Sequence, residues 1–428
     1  MEVLKEFFSF QDSSIWQVTL GVVLLTAAAA VVGTFTFLKK QALTGDAVAH
    51  AVLPGVCLAF ILSGTRNPLV LMAGALVTGW LSLIVMETIT KRSKLKEDTA
   101  IALVLSVFFG IGILLLTYIQ HNGNAAQSGL DSFLFGKAAS LVGRDLWVFG
   151  IIGVLLTGLV TLFFKELKLI AFDEAYAISI GLPVKGINLL LTTLTVLAVV
   201  TGIQAVGVVL MAAVLITPAA AARYWTEDVG RMTAIAAVMG AFAGLTGAFI
   251  SFTAPAMPTG PWIVVVISVI AIFSFMLAPR RGVVFRAWEQ RRLQQTMMDE
   301  NILKALFHLE ESDNDPDAPR SVDELSGIRL FPVNRLRASL KRLHRQGWLQ
   351  QRDGHWQFTV SGRERGRRMA KLHRLWEVYL SEYLKIAPDH VHDDAENIEH
   401  IITPELEARL EQLLKWPEVD PHDEKIPY

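Results

Sequence analysis

Residues 15 to 278 hold nine apolar segments, at 15–38, 42–63, 68–90, 99–120, 145–164, 186–203, 205–222, 232–253 and 261–278. Each is close to the roughly 20 residues a helix needs to cross a bilayer. Hydrocarbon offers the backbone no hydrogen-bonding partner, so such segments can cross only as helices or as a closed barrel. Their length selects helices. The count stays open at one place. The sixth segment meets the seventh within Gly202 to Ala205, with only Gln204 between them, so 186–222 also fits a re-entrant pair, which leaves eight spans.

Positive charge sets the direction of the spans. Lys39-Lys40, Lys91-Arg92 with Lys94 and Lys96, Lys165 with Lys168 and Lys185, Arg223 with Arg231, and Arg280-Arg281 follow the odd-numbered spans. The other loops carry mainly Arg66, Lys137 and Arg144. Cytoplasmic loops carry the Lys/Arg excess. Nine spans with the N-terminus outside and the C-terminus inside satisfy this rule. Residues 1–12 read as a short amphipathic piece with Phe7, Phe8 and Phe10, retained in the mature chain.

Acidity divides the chain. Residues 1–282 hold 14 of the 40 acidic residues, and eight of the ten histidines come after residue 300. A membrane domain, 1–282, therefore precedes a polar soluble part: a basic connector at 283–299, one small domain at 300–360 and another at 361–428. The connector, with Arg286, Arg291 and Arg292, suits a place beside anionic lipid headgroups. A single cysteine, Cys57, excludes an intrachain disulfide.

Within the second span, Asp46 and His50 lie four apart, one turn apart on one helix face. No Lys or Arg in the segment offsets the carboxylate, and a charge in mid-membrane costs roughly 2.5–3.5 kcal/mol on insertion scales. A carboxylate with an imidazole is a donor set for Mn²⁺, Fe²⁺ or Zn²⁺. A hydrogen-bonded pair holding helices together is the other reading. Pro54-Gly55 follows and should kink or break the helix. Residues 172–183, FDEAYAISIGLP, form a short amphipathic helix stopped by Gly181 and Pro183, too short to span. It reads as an interfacial loop or as a surface offered to a cytoplasmic motor. No GxxxxGK[ST] occurs, so any ATP is bound by another subunit. No grouping for covalent catalysis occurs in the membrane part, so the chain reads as a transport subunit and not an enzyme.

The stretches GDAVAHAVLPG (45–55), EDTAIALVLS (97–106), FLFGKAAS (133–140), FDEAYAISIGLP (172–183), QAVGVVLMAAVLITPAAAA (204–222) and PTGPWIVVV (258–266) resemble the permease subunit of bacterial ABC importers for manganese, zinc or iron. The resemblance implies two permease protomers, two ATPase subunits and an extracytoplasmic metal-binding protein. It implies that Asp46 and His50 of each protomer form the translocation site, and that Asp173, Glu174 and Gly181 lie in the loop docking on the ATPase.

Beyond residue 297 the pattern is that of small soluble helices. Ile302, Leu303, Leu306 and Leu309 mark one amphipathic helix, Ser321-Val-Asp-Glu caps a second, and Pro332 opens a third that ends at Gly347. The third carries Arg335, Arg337, Lys341 and Arg342. Residues 348–360 then read as two strands around Asp353-Gly354. Helix, helix, basic helix and hairpin make a winged helix-turn-helix, which sets its basic helix in a DNA major groove or presents a solvated face to a protein partner. Two helices follow. The first carries His373 and Glu377, the second Glu396, Glu399 and His400, a donor set for Mn²⁺ or Fe²⁺ or a charged solvated face.

KLHRLWEVYL (371–380), HVHDDAENIEHIITPELEARL (390–410) and KWPEVDPHDEKIP (415–427) resemble the iron- and manganese-dependent repressors of the diphtheria-toxin-repressor family. That resemblance implies a helical metal-binding and dimerisation domain in which Glu396, Glu399, His400 and His373 are ligands and Glu377 is ancillary. It also marks two departures: Asn301 and Lys304 stand where the family supplies acidic or better ligands. A lysine there would put a fixed positive charge among the acidic ligands in place of an ion. Three functions follow for the soluble part: a metal-responsive brake on the permease, a tethered or released repressor that binds operator DNA, or a structural tail.

Overall fold

The computed structural model describes residues 7, 13–65, 67–121, 143–253, 258–279, 281–313, 315, 318–328, 331–386 and 402–428. The chain forms two compact units, Met1–Arg286 and Ala287–Tyr428.

Among its described residues the first unit has helices and no strand. Its helices are α1 (Ser13–Leu38), α2 (Ala42–Ala51), α3 (Leu53–Ser63), α4 (Pro68–Arg92), α5 (Glu97–His121), α6 (Gly143–Leu162), α7 (Phe164–Phe172), α8 (Glu174–Ser179), α9 (Val184–Val206), α10 (Val208–Arg223), α11 (Val229–Thr253) and α12 (Thr259–Leu277). Among the described residues seven spans are long and apolar enough to cross a membrane, α2 and α3 together counting as one. An eighth arises if α6 and α7, bent by 66° at Phe163, are one span. The seventh expected segment is shorter: its apolar helix runs from Leu210 to Arg223, after a break at Gly207 with φ 95°.

Helix α1 is the central post, packed against α6, α9, α10 and α11. Apolar helices surrounded by lipid gain little from hydrophobicity alone and associate through close backbone packing at small residues. Gly33 shows why: a Cβ there would lie 1.8 Å from the carbonyl oxygen of Leu215 on α10. Phe35 and Leu215 are fully buried beside this crossing.

The second unit begins with α13 (Val283–Asp313), whose first residues belong to the first unit. The expected connector and the helix after it are thus one helix. Then come α14 (Val322–Ile328), α15 (Val333–Arg345), β1 (Leu349–Arg352), β2 (His355–Phe358), α16 (Val360–Glu382) and α17 (Pro404–Leu413). Ser321 Oγ accepts from the Glu324 N–H, and Glu324 Oε2 accepts from the Ser321 N–H, a reciprocal cap on α14. The strands pair antiparallel, Leu349 opposite Phe358 and Arg352 opposite His355. Asp353 and Gly354 turn the hairpin with φ 48° and 81°, the positive pair that a two-residue turn of matching twist needs. Ile302, Leu303, Leu306, Leu325, Leu336, Leu340, Leu343, Leu349 and Trp356 form the core.

Gly33→Val forces a side chain into the Leu215 backbone, which cannot yield as a side-chain tip would. It should cost more than about 3 kcal/mol, the upper end for overpacked cores. Gly158→Ala meets nothing within 4 Å and is the control. Thermal unfolding in detergent should show Gly158→Ala near wild type and Gly33→Val without a cooperative transition.

Candidate functional site

Asp46 and His50 face one way from α2, as their spacing requires. Asp46 Oδ1 lies 3.6 Å from His50 Nε2, too far for a good hydrogen bond. The His50 side chain is 17% exposed and that of Asp46 37%. The His50 ring stands edge-on to Phe109 of α5, with centroids 4.9 Å apart. Its Nδ1 is buried with no hydrogen-bond partner among the described residues. A buried polar atom without a partner costs about 1–3 kcal/mol. The pair is thus open on the imidazole side.

The break comes at Val52, before Pro54. Helix α2 ends at Ala51 and Pro54 falls in the first turn of α3, where its missing N–H is tolerated. Val52 keeps α geometry and hydrogen bonds on both sides, so the two helices continue as one span. The chemical effect remains. Pro54 has no N–H to give the His50 carbonyl, its partner in an uninterrupted helix. Behind the pair, α2 is pressed onto its neighbours through Gly45 against Leu215 and Val48 against Gly79.

Asp173 caps α8 by accepting from the Tyr176 N–H at 2.8 Å. Gly181, at φ 82°, ends the turn after α8. Around this short helix Phe172, Tyr176, Ile178 and Ile180 are all more than half exposed, while Ala177 is fully buried. The sequence reading named the polar residues of this loop and missed the apolar ones. The signal was there: four bulky apolar residues within nine positions, on and beside a helix of six residues that is too short to bury them.

In the second unit, Arg335, Arg337 and Lys341 lie exposed on α15. Arg342, expected beside them as a DNA contact, turns back instead. It grips Asp299 of α13 with two hydrogen bonds, at 2.6 and 2.7 Å, and also reaches Ser339. His373 and Glu377 are buried on α16, 3% and 2% exposed. His373 Nε2 lies 3.2 Å from Glu377 Oε1, and Lys304 Nζ donates to His373 Nδ1 at 3.2 Å. Lys304 is itself 4% exposed. Glu396, Glu399 and His400 lie outside the described residues. Nearby, Arg374 ties Glu311 to Glu424, both at 2.7 Å from Nη2, and holds His308 Nδ1 at 3.3 Å.

The ABC 3 transport family matches residues 11–278. The chain belongs to the ABC 3 transport family. With its membrane-length helices it is a transport permease of the inner membrane. An iron-dependent repressor metal-binding and dimerisation domain matches residues 359–428. The chain is 43% identical over 400 residues to the manganese transport system membrane protein MntC of Bacillus subtilis, covering 93% of this chain and 91% of that one. It is 42% identical over 293 residues to the zinc transport system membrane protein TroC of Treponema pallidum, covering 68% of this chain and 98% of that one. The solved structure of PsaBC from Streptococcus pneumoniae in complex with Fab matches with a TM-score of 0.58 and 33% identity, covering 65% of this chain and 97% of that chain.

Of the ligand set expected for a repressor-type metal ion, His373 and Glu377 lie among the described residues. Among the described residues no group of three His, Cys, Asp or Glu side chains is arranged to hold a metal ion. Both ring nitrogens of His373 are engaged, one by a carboxylate and the other by an ammonium group.

His308 gives this unit a pH response. Burial and the Arg374 guanidinium push its imidazole down to about 4, Glu424 and Glu311 oppose that, and Lys304 adds to the fall. The unfolded chain takes up the proton near 6.5 and the folded one only near 4, so the unfolded state binds more protons between these values. The contribution of His308 to stability is full above 6.5 and is lost as pH falls toward 4. Thermal midpoints of the full chain measured across this window should fall with pH, and His308→Gln should flatten the slope.

Proposed function

We propose that the chain is the membrane permease of an ATP-driven importer of divalent transition metal, with Mn²⁺ its main ion and Zn²⁺ or Fe²⁺ as competitors. The observation that carries this reading is the Asp46–His50 pair: a carboxylate and a half-paired imidazole facing one way from an apolar helix. The relatives' names, one manganese and one zinc, agree with a borderline cation. The greater coverage by the manganese protein favours Mn²⁺. Ligand type does not decide, because nitrogen and oxygen donors hold Zn²⁺ more tightly than Mn²⁺.

In this reading two permease protomers, two copies of this chain or one with a related chain, each bring an Asp46 and a His50 to a shared path. Few donors and partial exposure suit an ion that must leave again. An extracytoplasmic binding protein delivers the ion, and a separate ATPase subunit docks on α8 and its exposed apolar flank. Counting α6 and the shorter α10 as crossings keeps the expected total of nine, and with it the N-terminus would lie outside and the second unit in the cytoplasm. Asp46→Ala should abolish ⁵⁴Mn uptake into cells while the protein still reaches the membrane and holds its ATPase. Uptake at the wild-type rate would remove Asp46 from the path.

The exposed row of Arg335, Arg337 and Lys341, followed by a two-stranded hairpin, favours a second role. We infer that α14, α15 and the hairpin form a winged helix-turn-helix whose basic face meets DNA phosphates. Lys304 supports an ion-independent form of this regulator, since its ammonium already sits against His373. Full-length protein in nanodiscs should then bind operator DNA equally with and without Mn²⁺, and Lys304→Glu should make binding depend on Mn²⁺. Wild-type binding that needs Mn²⁺ would contradict the role given to Lys304.

A further inference from the structure

Two lysines close α1 and they do different things. Lys40 sits at φ 62°, in the left-handed region that glycine usually fills after a helix. The Gln41 N–H reaches back to the Thr36 carbonyl and the Lys40 N–H to the Phe37 carbonyl, the paired bonds of a Schellman ending. The side chain of Lys40 is exposed. Lys39 instead turns inward. Its Nζ donates to Asn188 Oδ1 of α9 at 2.6 Å. Asn188 in turn donates through Nδ2 to Glu174 Oε1 of α8 at 3.4 Å. Burial lowers the Lys39 ammonium from its ordinary value, while Glu174 and Glu97 pull it back up.

This chain of contacts joins two parts of the molecule that sequence keeps far apart. Glu174 lies on the short exposed helix at the ATPase-facing loop. Lys39 lies in the three-residue turn between α1 and α2. Helix α2 starts at Ala42 and reaches Asp46 within about one turn, or roughly 6 Å at 1.5 Å per residue. The turn has little slack, because its backbone is held by the Schellman bonds and Lys40 is already in a costly conformation. A displacement of α8 that carries Asn188 and Glu174 with it therefore pulls on the start of the helix bearing Asp46 and His50.

We propose that Lys39 is the latch between the ATPase-docking helix and the ion-bearing helix: a positioning residue that, through Asn188 and Glu174, converts movement of α8 into movement of α2. The latch rests on the reading that α8 docks on the ATPase and that α2 carries the ion. It makes no contact with the ion. Its loss should therefore leave ATP hydrolysis and separate it from transport.

The test uses the complete transporter, permease with its ATPase, in proteoliposomes, with ATP hydrolysis and Mn²⁺ uptake measured on the same preparation. Lys39→Met and Asn188→Leu should each retain the ATPase subunit and hydrolyse ATP, and should lower the number of ions moved per ATP by about tenfold, a common size for coupling between two sites. Lys39→Arg, which keeps a donor and a charge, should restore most of that ratio. A merely structural residue would lower hydrolysis and uptake together. Unchanged ions per ATP in both variants overturns the latch. A cysteine cross-link from Ile178→Cys to the ATPase tests the docking reading by itself. A cross-link with unchanged stoichiometry rejects the latch alone, and no cross-link rejects the docking reading and the latch with it.

Discussion

A carboxylate and an imidazole inside an apolar helix, with no basic residue in that helix to offset them, set the terms for the first unit. Such a pair has to face a path, a partner or an ion. The surrounding packing serves that need. Gly33 on α1 and Gly45 on α2 both let Leu215 of α10 come close. Phe109 closes one side of the imidazole ring and Pro54 leaves the His50 carbonyl without its helical donor. On the proposed reading, a passing ion would find donors in place but too few of them to be held.

The second unit meets the same electrostatic problem in another way. His373 and Glu377 are buried where water cannot satisfy them, and Lys304 brings the compensating positive charge on a neighbouring helix. Asp299 is matched by Arg342 and Glu300 by Arg365, so α13 is stitched to α15 and α16 by ion pairs with at least one buried partner. Removing one partner from such a pair is far more damaging than its net contribution implies, since the other charge stays buried. A charge fixed by the chain, unlike a bound ion, does not come and go with the metal supply.

The parts legible in sequence were those written in local period. The spacing of Asp46 and His50, the cap at Ser321, the Asp353-Gly354 turn and the buried Ile302, Leu303 and Leu306 of α13 all follow from positions within a few residues of each other. Three features were not. The break was expected at Pro54-Gly55 and falls at Val52, because a proline in the first turn of a helix needs no donor. Helix α13 runs unbroken from Val283 to Asp313, where a polar connector had hidden the continuity of its backbone. Arg342 read as a DNA contact because its helix is basic, but its partner Asp299 lies 43 residues away and no local pattern shows it. The same holds for Lys39 and Asn188, 149 residues apart. Long-range ion pairs depend on packing, and packing is settled only when the fold is complete.

The central claim is that the ion passes against His50. Electron spin-echo envelope modulation on Mn²⁺ bound to the purified permease reads directly whether a nitrogen is coupled to the metal. A ¹⁴N modulation that disappears in His50→Gln, with the Mn²⁺ signal itself retained on Asp46, is the predicted result. A modulation that survives His50→Gln, or none in the wild type, would place the ion elsewhere.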